Sequence, residues 1–247
     1  MNWSWWLETW DRQQEFLLPD REERFSFMFD LVEAVVGRPR ALLDVAGGPG
    51  SITLRLRQRF PDVRVTLIDV DPSLLAIATG VMGSDSNVRV LRADLADLNW
   101  AAALSAGEYD AAITANSLHW LEEAALRRVY GDLAKLVRPG GVLCNADPMR
   151  PEGIDRLIAA LEEQGEHRHA SAPEGELDWG SWWKAAAGDP VLGSLVAERN
   201  RRFGGEIHPP EFTPPLRWHE EALLAAGFGE AGCVWRHGAA AIVAALR

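Results

Sequence analysis

Three carboxylates and one glycine-rich turn carry the clearest chemical signal in this sequence. Asp44 lies in an apolar run that leads into the turn Ala46–Gly50. Glycines there let the backbone turn sharply and let a ligand approach the main chain. Asp69 follows the turn by about 20 residues, where an acid can accept hydrogen bonds from a ribose diol. Asp94 can accept a hydrogen bond from the exocyclic amine of an adenine, with Leu95 beside it. The pattern predicts a nucleotide-binding βαβ unit.

Each of these features also has a simpler explanation. The turn could belong to any α/β protein with a glycine-rich βα connection, and Asp94 could cap a loop. Asp69 could cap a helix, although Asp71 followed by Pro72 fits that role better. Aspartate is a favoured N-cap, and proline is favoured at the first helical position.

His119 is the candidate for acid–base chemistry. It lies in the segment 116–121, just after a predicted strand, and ligands of open α/β sheets bind outside the carboxyl ends of the strands. Histidine titrates near neutral pH and so suits a general base. A structural histidine remains an alternative, and His167, His169 and His208 are other candidates for the base. No complete metal-ligand set is visible, and we expect no metal.

The elements that must position these residues follow from the apolar pattern. Strands are predicted at 41–45, 62–68, 88–91, 110–115 and 142–146, with helical segments between them. A last helix, 218–227, precedes two strands near 231–236 and 240–246 that are joined by a His-Gly turn. That turn predicts an antiparallel hairpin.

Two regions stand outside this alternation. Residues 1–37 are predicted to form two helices over the sheet edge or the ligand cleft, the second with Asp20 as N-cap and Glu23 at the capping-box position. Arg21 and Arg24 lie one helical turn apart. They could hold a carboxylate, but pairing with neighbouring acids on the surface is favoured. Residues 149–215 interrupt the alternation and predict a substrate-cap insertion within a single domain spanning 1–247.

Composition limits the class of function. The chain has 247 residues, a net charge of −11 and two cysteines. The acidic balance argues against a nucleic-acid substrate, since phosphate binding needs a basic surface. No apolar run is long enough to span a membrane, and the first residues do not form a signal peptide. We therefore expect a cytoplasmic protein without nucleic-acid or membrane partners; the oligomeric state is not readable.

Five motifs in order resemble the class I S-adenosylmethionine-dependent methyltransferases. The resemblance covers residues 41–147 and, weakly, the final helix and hairpin. The matching pieces are Asp44–Gly50, Ile68–Pro72, Ala93–Leu95, Asn116–Leu121 and Leu136–Gly141. The resemblance implies an α/β, Rossmann-like seven-stranded sheet of order 3-2-1-4-5-7-6 with the last strand pair antiparallel. It also implies methyl transfer from S-adenosylmethionine to a small-molecule acceptor, with O-methylation of a secondary metabolite favoured.

The resemblance assigns roles to individual residues. Asp44 would reach the amino group of the methionine moiety, Asp69 the ribose hydroxyls, and Asp94 the adenine. The full set implied for the cofactor is Asp44, Ala46, Gly47, Gly48, Gly50, Asp69, Val70, Asp94, Leu95, Asn116 and Ser117. The family usually has glycine where this chain has Ala46, and alanine would be strained in a left-handed backbone.

The acceptor side is less defined. His119 is the expected base, and the residues expected to contact the acceptor are Trp120, His167, Trp182 and Trp183. Tryptophans suit the walls of pockets, but core packing explains them equally well. A dehydrogenase is disfavoured because the turn reads Gly-Gly-Pro-Gly. Two alternatives keep the cofactor without methyl transfer, namely a cyclisation or isomerisation enzyme and a non-catalytic partner.

Overall fold

The computed structural model describes residues 1–168, 176–203 and 211–247, with side chains through residue 164 in the first range. Its centre is a seven-stranded sheet of order β3-β2-β1-β4-β5-β7-β6. The strands are β1 (Ala41–Val45), β2 (Arg64–Asp69), β3 (Val88–Arg92), β4 (Tyr109–Ala115), β5 (Val137–Pro148), β6 (Glu230–His237) and β7 (Ala240–Leu246). β7 is antiparallel to both of its neighbours, and the other pairs are parallel. The predicted order is confirmed.

Nine α-helices and one 3-10 turn, Leu118–Trp120, accompany the sheet in the described ranges. The helices are α1 (Trp3–Leu17), α2 (Arg21–Val36), α3 (Ser51–Arg59), α4 (Pro72–Met82), α5 (Glu123–Leu136), α6 (Asp155–Arg168), α7 (Trp179–Gly188), α8 (Leu192–Arg202) and α9 (Leu216–Ala225). None of these helices is long and apolar enough to cross a membrane.

Alternation along β1 explains the layers. Leu43 points into a cluster with Tyr130 and Leu133 of α5, while Leu42 points to the other face, towards Met28 and Phe29 of α2. Both leucines are fully buried, as expected for a central strand covered on both sides. Parallel pairing then brings the carboxyl ends of β1, β2, β3, β4 and β5 to one edge of the sheet.

The first helices differ from the sequence-based expectation in two details. Asp20 occupies the N-cap position of α2 but makes no capping hydrogen bond, because its carboxylate pairs with Arg24 instead. The arginines Arg21 and Arg24 do pair with neighbouring acids, yet they are buried rather than on the surface. The surface prediction was wrong because helical spacing alone did not reveal that α2 covers the sheet.

The start of the fifth strand also differs from the prediction. β5 begins at Val137 and includes residues 138–141, whereas the predicted strand begins at residue 142. The Arg138 guanidinium binds Asp110 at 2.6 Å, and the amide of Gly140 donates to the carbonyl of Arg247 at 2.6 Å. These contacts with distant parts of the chain extend β5 towards its N-terminal end, and no local sequence pattern predicts this extension.

α1, α7 and α8 form a side layer with α4. Trp6 and Trp182 are buried together there with Ile77, and Val196 of α8 joins the same cluster. The sequence did not predict α7. Two of the inserted helices, α7 and α8, therefore pack on α1 and α4, near the ends of β2 and β3.

Candidate functional site

The glycine turn lies directly over the carboxylate of Asp44. A Cβ on Gly47 would come within 2.6 Å of the Asp44 carboxyl carbon, so glycine is needed there. Asp44 is fully buried, and its Oδ2 accepts hydrogen bonds from the amide and hydroxyl of Thr53 at 3.1 and 2.6 Å. Its Oδ1 has no hydrogen-bond partner among the described residues. The turn thus leaves one buried carboxylate oxygen for a donor from a ligand.

Asp69 ties the end of β2 to the glycine turn. Its Oδ2 accepts from the amide of Gly48 and its Oδ1 from the amide of Asp71, both at 2.8 Å. Burial raises the pKa of Asp69 to about 6 and that of Asp44 to about 7. Two neighbouring carboxylates with raised pKa values favour a ligand that supplies hydrogen-bond donors or positive charge.

Two residues near the turn adopt a left-handed backbone without being glycine. Ala46 has φ 53° and Asn116 has φ 52°. The hydroxyl of Ser117 donates to the carbonyl of Ala46 at 3.2 Å, so the end of β4 is joined to the turn. Backbone strain of this kind persists where the surrounding structure imposes it, often at binding sites. The expectation that Ala46 would be strained is therefore consistent with its backbone.

The predicted adenine contact is occupied by protein. Asp94 accepts from the amide of Ala96 at 3.0 Å through Oδ1 and forms an ion pair with Arg202 of α8 through Oδ2. Leu95 is buried in the core beside it, and Val70 is partly exposed at the end of β2. These residues lie at the carboxyl edge of the sheet, as predicted.

His119 has a buried partner that sequence reasoning missed. Its Nδ1 lies 2.7 Å from Oδ1 of Asp147, near the end of β5. Burial lowers the pKa of His119, but the hydrogen bond and charge of Asp147 outweigh that effect and, with Glu211, raise it overall. The only sequence signal for Asp147 was its place at the end of the fifth predicted strand.

Arg24 is a second missed element of this edge. Its side chain is buried, and its Nη1 donates to Oδ1 of Asn116 at 3.2 Å. Nη2 lies 2.9 Å from Oδ1 of Asp20 without hydrogen-bond alignment, and Nε has no partner in the described part of the chain. Burial lowers the pKa of Arg24, which the charges of Asp20 and Asp147 partly offset. A buried guanidinium with spare donors suits an anionic or carbonyl group.

The predicted acceptor residues do not all meet at this edge. Trp120 packs against His119 with ring centroids 4.6 Å apart. Trp182 is fully buried in the side layer and donates its indole N–H to Thr9, and Trp183 packs edge-to-face against it. The contacts of Trp182 are those of a packing residue, and its contact with an acceptor stays a prediction. The side chain of His167, together with His169 and His208, lies outside the described residues.

The part of the chain that contains most of the site matches a known protein family. The family model described as a methyltransferase domain matches residues 42–141, the stretch that holds β1 to the start of β5. Residues 42–141 therefore form a methyltransferase domain, as the resemblance predicted. Among the described residues, no group of three or more potential ligands could hold a metal ion.

Named methyltransferase relatives match only part of the chain. The trans-aconitate 2-methyltransferase of Methylobacterium radiotolerans is 34% identical over 158 residues, which cover 62% of this chain and 50% of that protein. The malonyl-[acyl-carrier protein] O-methyltransferase of Hahella chejuensis is 28% identical over 43% of this chain and 36% of that protein. This chain therefore matches half or less of the length of these two relatives.

A solved structure supports the fold alone. An O-methyltransferase family protein from Burkholderia thailandensis superposes with a TM-score of 0.58 at 20% identity, covering 98% of this chain and 68% of that one.

The site fits S-adenosylmethionine, the cofactor that the resemblance implies. The unpartnered Oδ1 of Asp44 suits the ammonium of the methionine moiety, and Asp69 retains acceptor capacity for hydroxyls. The backbone at Gly48 is open to a ligand, because among the described residues a Cβ there would meet only Leu74, at 3.7 Å. Asp94 stays the predicted adenine contact, and Arg202 occupies its Oδ2 in this structure.

Proposed function

We propose that this chain transfers the methyl group of S-adenosylmethionine to an oxygen of a small-molecule acceptor, and that this oxygen belongs to a carboxylate. The observation that carries the proposal is that two buried polar side chains at the same sheet edge each keep an atom without a hydrogen-bond partner in the described part of the chain. Oδ1 of Asp44 suits the cofactor's ammonium. Nε of Arg24, whose Nη1 donates to Asn116, suits an anionic acceptor.

The names of the relatives support a carboxylate. trans-Aconitate carries carboxylates, and a malonyl group attached to a carrier protein retains one. The secondary-metabolite acceptor expected from the resemblance stays a prediction, and these names do not favour it. A small-molecule acceptor also accords with the acidic balance of the chain.

The chain's own residues would position the acceptor and the cofactor rather than activate either of them. The bound cofactor carries its methyl group on a sulfonium, which is already reactive. A carboxylate nucleophile is already ionised and needs no base. Arg24 and the protonated form of His119 would orient it, and the surrounding apolar residues would exclude water. The raised pKa of His119 increases the fraction of that protonated form near neutral pH.

A hydroxyl acceptor is the second candidate, and the His119–Asp147 pair favours it. Asp147 binds Nδ1 of His119 and leaves Nε2 to take a proton from a hydroxyl. The two candidates predict opposite pH dependence. Activity on a carboxylate held by imidazolium falls as the pH rises through the pKa of His119, whereas activity that needs the neutral base falls as the pH decreases.

The test is an assay of the purified chain with methyl-labelled cofactor and a panel of acceptors. The panel contains trans-aconitate, a malonyl thioester, a hydroxylated aromatic acid and its methyl ester, which lacks the free carboxylate. A labelled product that hydroxide hydrolyses back to the acid is a methyl ester and supports the proposal. A base-stable product is an ether and supports the hydroxyl acceptor.

A matched pair of variants then tests the role of Arg24. Arg24→Lys keeps the charge but loses the planar fork of donors, so the KM for the carboxylate should rise while cofactor affinity persists. Arg38→Lys, at an exposed arginine, is the control. Equal kinetics for the two variants would contradict the assigned role of Arg24.

A further inference from the structure

One face of α8 is charged and lies against the ends of β2 and β3. Glu198 pairs with Arg92 at 2.7 Å, and Arg202 pairs with Asp94. The helix itself is fixed by apolar packing, since Leu192 and Val196 are buried against α4. The inserted helix therefore reaches the part of the edge assigned to the adenosine of the cofactor.

Arg199 anchors this helix. Its Nε lies 2.8 Å from Oδ2 of Asp71, and both side chains are largely buried. Its guanidinium also stacks on Trp183, 4.1 Å from the ring centroid. The other carboxylate oxygen of Asp71 caps α4 by accepting from the amides of Ser73 and Leu74. An ion pair held from both sides in this way keeps α8 in place.

Arg202 is held much less firmly, although it lies only one helical turn from Arg199. The side chains of Arg202 and Asp94 are 38% and 36% exposed. Exposed ion pairs contribute little to stability and are screened by salt. The pair with Asp94 can therefore open while α8 stays anchored.

Arg202 and an adenine amine would compete for the same carboxylate. Oδ1 of Asp94 is used by the amide of Ala96, so Oδ2 is the better acceptor for a ligand, and Arg202 occupies it. A charged donor makes a stronger hydrogen bond than a neutral amine does. Adenine can form its contact fully only when Arg202 moves aside.

We propose that Arg202 is a displaceable counterion of Asp94, which leaves that carboxylate when the adenine of the cofactor binds, while Arg199 stays on Asp71. This proposal rests on the cofactor part of the proposed function. It adds a residue of the inserted helix to the determinants of cofactor affinity.

The test measures the binding of S-adenosylhomocysteine by calorimetry at low and high salt. In Arg202→Gln, Asp94 is released, and affinity at low salt should rise about two- to fivefold, the range that an exposed pair allows. At high salt, the affinity of the unaltered chain for S-adenosylhomocysteine should approach that of the variant. Arg201→Gln is the control, because this change removes the same charge, and among the described residues Arg201 donates only to the carbonyl of Ala197 within α8.

Asp94→Asn completes the test. This variant should bind more weakly than the unaltered chain, and adding Arg202→Gln to it should change nothing further. If Arg202→Gln binds S-adenosylhomocysteine more weakly than the unaltered chain, or with the same affinity as Arg201→Gln, the proposal about Arg202 is overturned. The proposed function is not affected by that result. Failure of the unaltered chain to bind S-adenosylhomocysteine would overturn the proposed function as well, and no acceptor assay enters this test.

Discussion

Nδ1 of His119 lies 2.7 Å from Oδ1 of Asp147, and both side chains are buried at the carboxyl edge of the sheet. The contact joins the loop after β4 to the end of β5, so it depends on the pairing of these two strands. It leaves Nε2 as the imidazole nitrogen available to another partner, and it ties the charge of the histidine to that of the aspartate.

Asp147→Asn should lower the pKa of His119. Burial alone lowers that pKa, and the charge and hydrogen bond of Asp147 are the main influences that raise it. Histidine-labelled NMR spectra across pH 5 to 8 would measure the change. Glu211→Gln is the control and should give a smaller decrease, because Glu211 acts on His119 by charge alone. An unchanged titration in Asp147→Asn would contradict the coupling.

Cofactor affinity should depend on the protonation of Asp44. Burial raises its pKa to about 7 in the chain without ligand, so about half of the molecules carry a neutral carboxyl at that pH. An ammonium at Oδ1 stabilises the charged form and lowers the pKa in the complex. Affinity should therefore fall up to about tenfold per pH unit as the pH drops below 7. Calorimetry with S-adenosylhomocysteine at pH 5.5, 6.5 and 7.5 measures this, and a flat profile would exclude the contact.

Ala46→Gly should stabilise the chain. Ala46 has φ 53°, and a left-handed conformation costs a non-glycine residue roughly 1–2 kcal/mol. The greater freedom of glycine in the unfolded chain offsets part of this gain, which leaves about 0.5–1 kcal/mol. Ala187→Gly in α7, at an exposed helical position, should instead destabilise by about 0.5–1 kcal/mol. Urea denaturation of both variants checks the opposite signs.

Trp182→Phe separates packing from acceptor binding. The indole is fully buried and donates to Oγ1 of Thr9 at 3.1 Å, so the smaller ring should cost about 1–3 kcal/mol of stability. Thr9→Val removes the same hydrogen bond and should cost less, since the packing remains. An increased acceptor KM in Trp182→Phe, with little loss of stability, would instead support the sequence-based assignment to the acceptor.

Local chemistry explains why the glycine turn and the acids of the proposed cofactor site could be located from the sequence. The glycine turn needs residues that tolerate positive φ, and the acids must follow their strands at fixed spacing. Both requirements are therefore visible as local sequence patterns. Strand order followed from the family resemblance. Asp44, Asp69 and the turn then came together because parallel strands bring their carboxyl ends to one edge.

The residues of the proposed acceptor site come together through contacts between distant elements. Arg24 meets Asn116 across 92 positions, and His119 meets Asp147 across 28. Helical spacing placed Arg24 next to Asp20, but it did not indicate that this face of α2 would be buried. Arg202 and Asp94 are 108 positions apart, and their pairing likewise could not be predicted from the sequence. In each case the partner is set by how helices pack on the sheet.

The stability of the ligand-free chain should fall as the pH rises from about 4 to 7. Burial raises the pKa of Asp44 to about 7 and that of Asp69 to about 6, above their ordinary value of 3.8. Within this window the folded chain binds more protons than the unfolded chain, so unfolding becomes easier as the pH increases. Acids whose pKa is lowered, such as Asp110, lose their contribution only below this window.

Thermal melting at pH 5, 6, 7 and 8 measures this trend, and Asp44→Asn should flatten it. Asp62→Asn is the control, because it removes the same charge at an exposed carboxylate and should keep the slope. The comparison matters because the acidic balance of the chain also favours lower pH through general repulsion. If both variants keep the slope, general repulsion rather than the buried Asp44 sets the pH dependence.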